Sequence, residues 1–235
     1  MLFLNSHDWT RFLGIYVVQL FLGILFLFLA LKIIKRNRDV NTIYLIAFFS
    51  LISLAFILNA IFIPIKVSEI SILLYRITLF FGFFSAIFLI SFNLTLLKER
   101  IGLTHKKQLI FISIYTIMTI LVIFLPGGIE YSEKTNWKPV YSKEFSIILI
   151  IFYTIFYFLP LMITTKRVHD SFNDTLLKKK IKYFSIGIVI LAFSFYGLLF
   201  YITTDNPFYK IIWSVLSFII IPSGLFIYYG TGREL

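Results

Sequence analysis

The sequence predicts an all-α fold: a polytopic bundle of seven transmembrane helices. Three observations predict it. The 235-residue chain is 60% hydrophobic and 20% aromatic, with a mean hydropathy of +0.94. Only 14% of it is charged, against about 25% in soluble domains. Its apolar residues fall in seven runs, each close to the roughly 20 residues a helix needs to cross a bilayer. A soluble core of this size could not hide so much apolar surface, so the solvent must be lipid. In hydrocarbon every backbone N–H and C=O needs an internal partner, which only helices and closed barrels supply. The runs are continuous rather than alternating, which argues against a barrel.

Residues 1–11 lack a basic n-region, and no small-residue cleavage site follows the first apolar run. The first span is therefore expected to stay as an anchor and not to be removed as a signal peptide. It runs over 12–31 and stops at Lys32, Lys35, Arg36 and Arg38. The second covers 42–63 and ends at Pro64. The third covers 70–97 and alone carries a charge inside, Arg76. The fourth, 109–125, stops at the breaker Pro126-Gly127-Gly128. The fifth covers 145–163 and the sixth 183–202, before a turn at Thr203-Thr204-Asp205-Asn206-Pro207. The seventh covers 208–229, and the whole chain, 1–235, reads as a single transmembrane domain.

The net charge of +11 reads as topology, not as nucleic-acid binding. One side carries Lys32, Lys35, Arg36, Arg38, Lys98, Arg100, Lys106, Lys107, Lys166, Arg167, Lys178, Lys179, Lys180, Lys182 and Arg233. The other carries Arg11, Lys66, Lys134, Lys138, Lys143 and Lys210. Cytoplasmic loops hold the excess of Lys and Arg, so the amino terminus is expected outside and the carboxyl terminus in the cytoplasm. The expected home is the plasma membrane. The cluster Lys178, Lys179, Lys180 and Lys182 fits a topology determinant and also a docking site for anionic lipid, at about 1 kcal/mol per charge. The outer loop 126–144 has Tyr131, Trp137 and Tyr141 and reads either as a solvated connector or as a lid over the bundle mouth.

Arg76 lies about 9 Å into the third span, at 1.5 Å per residue. A charge inside a span marks function by default, yet at this depth an arginine can also snorkel to the interface or pair with Glu69 or Asp205. The other polar side chains in the spans are neutral: among them Gln19, Asn59, Ser85, Ser91, Asn93 and Thr95. Interhelical hydrogen bonds of about 0.6 kcal/mol explain most of them. Asn59, toward the outer end of its span, and Gln19 stand out. No Asp, Glu or His falls within a span, so no proton relay is visible. With no Cys and three scattered His, neither a metal site nor a cofactor is expected. Hydrolase signatures are missing, so an enzyme is not expected.

The outside amino terminus, the polar third span and the closing Ile221-Pro222-Ser223-Gly224-Leu225-Phe226-Ile227-Tyr228-Tyr229-Gly230 resemble the amino-terminal seven-helix sensor region of prokaryotic histidine kinases. In that family a Pro-containing last helix leaves the membrane through a similar aromatic-rich segment. The chain ends at Leu235 without a phosphoacceptor helix or ATP-binding domain. The resemblance thus implies a sensor-like bundle whose output partner is a separate cytoplasmic or membrane protein. The expected function is a receptor-like sensor with an outward pocket between spans two, three, six and seven. Arg76, Asn59 and Trp137 are its candidate ligand-binding residues. A facilitator of a neutral solute and a structural subunit of a membrane complex are the alternatives.

Overall fold

A computed structural model describes residues 13–36, 40–97, 104–204 and 206–232. The cations Arg11, Arg38, Lys98, Arg100 and Arg233, and Asp205 as a partner for Arg76, lie outside the described residues. The helices are α1 (Leu20–Arg36, preceded by a π-helical stretch, Leu13–Gln19), α2 (Val40–Phe62), α3 (Ser68–Leu96), α4 (His105–Ile123), α5 (Lys143–Ser171), α6 (Thr175–Thr203) and α7 (Pro207–Thr231). Each marks a stretch long and apolar enough to cross a membrane, so this is a multi-pass membrane protein. The β structure among the described residues is one antiparallel hairpin, β1 (Ile129–Glu130) paired with β2 (Val140–Tyr141).

Helix α3 is the axis of the bundle. Of its apolar stretch 56% is buried inside the protein, against 22% for α4. Its sequence explains why: Ser71, Thr78, Ser85, Ser91 and Asn93 are all buried, and lipid would leave such groups without partners. Helices α2, α4 and α5 pack directly on α3. Helix α6 reaches it through Phe83–Phe195 and Phe92–Phe184. Helix α1 lies against α2 and also meets α7, where Gly224 faces the Phe26 ring. Helix α4 turns Leu109, Ile110, Ile114, Ile117 and Leu121 outward, as a lipid-facing helix should.

The junction of α5 and α6 differs from the sequence reading. Helix α5 continues to Ser171 and α6 begins at Thr175, so three residues, 172–174, replace the expected loop of 164–182. The apolar run marks where hydrocarbon ends, not where the helix ends. Nothing breaks α5 before Phe172, and the Asp174 carboxylate starts α6 by accepting from the Leu176 N–H at 2.7 Å. Each 29-residue helix is about 43 Å long at 1.5 Å per residue, enough to cross the headgroups as well. The basic cluster Lys178, Lys179, Lys180 and Lys182 therefore lies on the first two turns of α6.

Helices α6 and α7 approach more closely than side chains allow. A Cβ on Gly187 would lie 2.9 Å from both the Ile227 nitrogen and the Ser223 carbonyl oxygen. A Cβ on Gly230 would lie 2.5 Å from the Phe184 nitrogen. Farther out, the Trp213 ring fills the place of a side chain at Gly197, and the Tyr209 hydroxyl donates to the Gly197 carbonyl at 3.0 Å. Small residues permit this contact, as they commonly do between helices in lipid.

Two prolines shape the helices without interrupting them. A proline removes one N–H and crowds the carbonyl four residues earlier. For Pro160 that carbonyl belongs to Phe156, inside a π-helical turn, Thr154–Phe158. For Pro222 it belongs to Phe218, inside a 3-10 turn, Ser217–Ile219. Both turns widen or tighten the ladder locally to relieve the clash.

Candidate functional site

One end of the bundle, where the 126–144 segment lies, is covered by a packed structure. Pro126-Gly127-Gly128 turns the chain, with Gly127 at φ 70°, and the hairpin then lies over α2 and α3. Tyr131 is 1% exposed, its ring against Phe62 and Trp137. The Ser68 hydroxyl donates to the Tyr131 carbonyl at 2.6 Å. The Tyr141 hydroxyl meets that of Tyr75 on α3, and its ring packs on Phe145. Ser146 and Thr203 hydroxyls meet at 2.7 Å, joining α5 to α6 beside the hairpin. The segment is thus a packed hairpin and not a solvated connector.

Burial pushes the Tyr141 hydroxyl well above its ordinary value of 10.0, and the neighbouring Tyr75 adds to the shift. The raised pKa means the folded state holds this proton to higher pH than the unfolded chain does. Its contribution is complete below pH 10 and is lost as pH rises above it. Alkaline titration should loosen the hairpin, read by Trp137 fluorescence, and Tyr141→Phe should displace that transition to higher pH.

The three candidate ligand residues face different neighbours. Arg76 donates from Nη2 to the Leu125 carbonyl at 3.2 Å and holds its guanidinium 5.5 Å from the centre of the Phe124 ring. It caps the end of α4, where a cation offsets the helix dipole. Asn59 donates to the Gln19 side chain and so ties α2 to the segment before α1. Trp137 belongs to the hairpin tip, where Asn136 and Trp137 have φ of 53° and 52°. A tryptophan in the left-handed region is strained by about 1–2 kcal/mol, and its ring contact with Tyr131 helps hold it there. The structure brings Trp137 to the mouth over α2 and does not join it to Arg76 or Asn59. Replacing Arg76 with methionine should lower the apparent stability by about 1–2 kcal/mol, through loss of a charged hydrogen bond and a cation–π contact. Thermal denaturation in detergent would measure it.

Three buried polar residues, Gln108, Thr164 and Thr165, escape a sequence reading. At the end opposite the hairpin, Asn93 donates to Thr165 at 2.8 Å and Thr164 at 3.2 Å. Gln108 accepts from the Tyr44 hydroxyl at 3.0 Å and donates to Thr95 at 3.3 Å. This network joins α2, α3, α4 and α5. Gln108, Thr164 and Thr165 lie beyond the apolar runs, so only the longer helices reveal them as buried. The fully buried Asn93 also has no exposure to act as a glycan acceptor. Beside it, Leu97, Val168 and Ile181 close this end between α3, α5 and α6.

Halfway along lies a cluster of tyrosines. Tyr153 and Tyr157 of α5 stand with ring centres 4.8 Å apart, and Tyr153 packs on Phe83, Phe195 and Tyr196. The Tyr115 hydroxyl of α4 donates to the Phe83 carbonyl at 3.0 Å, and Thr154 meets the Tyr196 hydroxyl at 2.6 Å. Mid-span tyrosines, away from the interfacial belts where tyrosine is common, are the signal that could have found this cluster.

No protein-family model matches this chain, and no curated protein matches it. The geometry above therefore carries the functional argument alone.

Proposed function

We propose that the protein is a receptor-like seven-helix membrane sensor, with its amino terminus outside, its carboxyl terminus in the cytoplasm and its home in the plasma membrane. The observation that carries this reading is the latched hairpin. A strained lid is tied directly to the central helix α3 through Tyr75 and Tyr141. The same helix carries Asn93 into the inner network that holds α5. A ligand that displaces the lid thus acts on one rigid rod whose far end holds the neighbouring helices in place. Arg76 and Asn59 serve this reading as residues that set the positions of α4 and α1.

The facilitator reading draws less support. Transport sites commonly use unwound segments of discontinuous helices, whereas α5 and α7 pass their prolines as continuous helix. The orientation rests on the cations: Lys106, Lys107, Lys166, Arg167 and the α6 lysines share one end. Lysines in the first turns of α6 oppose its dipole, so helix stability does not explain them. Anionic lipid headgroups at Lys178, Lys179, Lys180 and Lys182 supply the compensating charge, and a cytoplasmic signalling partner reads the same surface.

The natural absence of cysteine permits a direct test. Arg167→Cys and Lys179→Cys, labelled with a spin pair in lipid nanodiscs, should report a changed distance when a small-molecule panel is added. Proteoliposomes should show no flux of the same compounds. Flux with unmoved inner ends would establish the facilitator instead. A membrane-impermeant maleimide should label cysteine at Lys134 in intact cells and not at Lys179; the reverse pattern overturns the orientation.

A further inference from the structure

The hydroxyls of Tyr153 and Tyr157 are buried, and neither has a hydrogen-bond partner. An unsatisfied buried hydroxyl costs about 1–3 kcal/mol, and in hydrocarbon water does not relieve it. Their proximity does not close the account. Were one to donate to the other, the second proton would still lack an acceptor. The Tyr115 hydroxyl donates to the Phe83 carbonyl and lies within hydrogen-bond distance of neither.

There is also room. The buried stripe of α3 runs through Tyr75, Thr78, Ser85, Ala86 and Leu89. Gly82, one residue before Phe83, falls on the same face but is itself only partly buried, and a Cβ there would meet nothing within 4 Å. Gly23, Gly187, Gly197, Gly224 and Gly230 are by contrast pressed against neighbours. The rings of Phe83, Phe152 and Phe195 give the region apolar walls.

We infer that the interior between α3, α4, α5 and α6 binds a small, uncharged, lipophilic molecule bearing an oxygen acceptor. Its carbonyl or ether oxygen accepts from Tyr153 and Tyr157, and its apolar body takes the space beside Gly82. A charged ligand is disfavoured, because the polar groups of this cluster are hydroxyls. The hairpin covers the outer end and Leu97, Val168 and Ile181 the inner, so the molecule arrives laterally from the bilayer, past the thinly packed α4. This goes beyond the sensor reading, whose ligand acts at the hairpin, and its test is independent of any output.

Benzophenone, an uncharged aromatic ketone that cross-links on irradiation, is the probe, and diphenylmethane is its hydrocarbon counterpart. With the purified full chain in nanodiscs, benzophenone should raise the melting temperature and diphenylmethane should not. Cross-links should map to α5 near Tyr153 and Tyr157. A double Tyr153→Phe, Tyr157→Phe variant should fold, melt no lower than the parent without ligand, and bind benzophenone roughly tenfold more weakly, the worth of one hydrogen bond. Gly82→Leu should fold and lose the ketone-induced shift. Equal shifts from ketone and hydrocarbon, or a double variant that melts clearly lower, would show hydroxyls satisfied within the protein or by buried water alone and would overturn the site. An unaffected Gly82→Leu would overturn it equally.

Discussion

Gly187→Leu is expected to separate α6 from α7 and to lower the apparent melting temperature more than any single polar substitution in the bundle. A Cβ at this position already falls 2.9 Å from two backbone atoms of α7, the Ile227 nitrogen and the Ser223 oxygen, and backbone cannot swing aside. The helices must move apart along their inner halves. Overpacking of this kind costs about 1–3 kcal/mol, and more where the obstacle is rigid. Gly187→Ala should already show part of the loss, because the clash begins at Cβ. By contrast, Gly23→Ala meets the Ile57 side chain at 2.9 Å, which can rotate, and should cost less. Circular dichroism melts of the three variants in one detergent would check the order.

The second large effect is expected at Tyr131. Truncation to alanine leaves a hole beneath the hairpin, removing ring contacts with Phe62 and Trp137. Emptying a buried aromatic site costs about 3–5 kcal/mol. The cost should fall on the hairpin, which rests on few other contacts, and not on the seven helices. Trypsin should then cut at the exposed Lys134 many times faster than in the parent, while the helical melt moves little. A fall in both together would mean that the hairpin and the bundle unfold as one unit. If the hairpin is the lid of a sensor, the same variant should also respond more readily at the inner ends.

The seven spans were legible because hydropathy reports the cost of placing a residue in lipid, and that cost depends on residue type alone. The prominence of the third span was legible for the same reason. Its serines, threonines and Asn93 can avoid lipid only at the centre, where α3 is found. The inner ends of α5 and α6 were not legible, since lysines tolerated in the headgroup region end an apolar run without ending a helix. Arg76 announced itself by charge, but its partners, the Leu125 carbonyl and the Phe124 ring, lie 49 residues away along the chain in the first case and are set by how α4 ends.

The sequence by itself determined that this chain lies in a membrane as seven helices, because each run must satisfy its own backbone before any neighbour is chosen. Which hydroxyls are satisfied was decided only by tertiary structure. Tyr75 finds Tyr141, while Tyr153 and Tyr157 find nothing, although all four are tyrosines in apolar surroundings. Hydrogen bonding falls off within an ångström or so of its optimum. It therefore depends on how helices are rotated and spaced, and contacts such as Gly187 against the α7 backbone set that spacing.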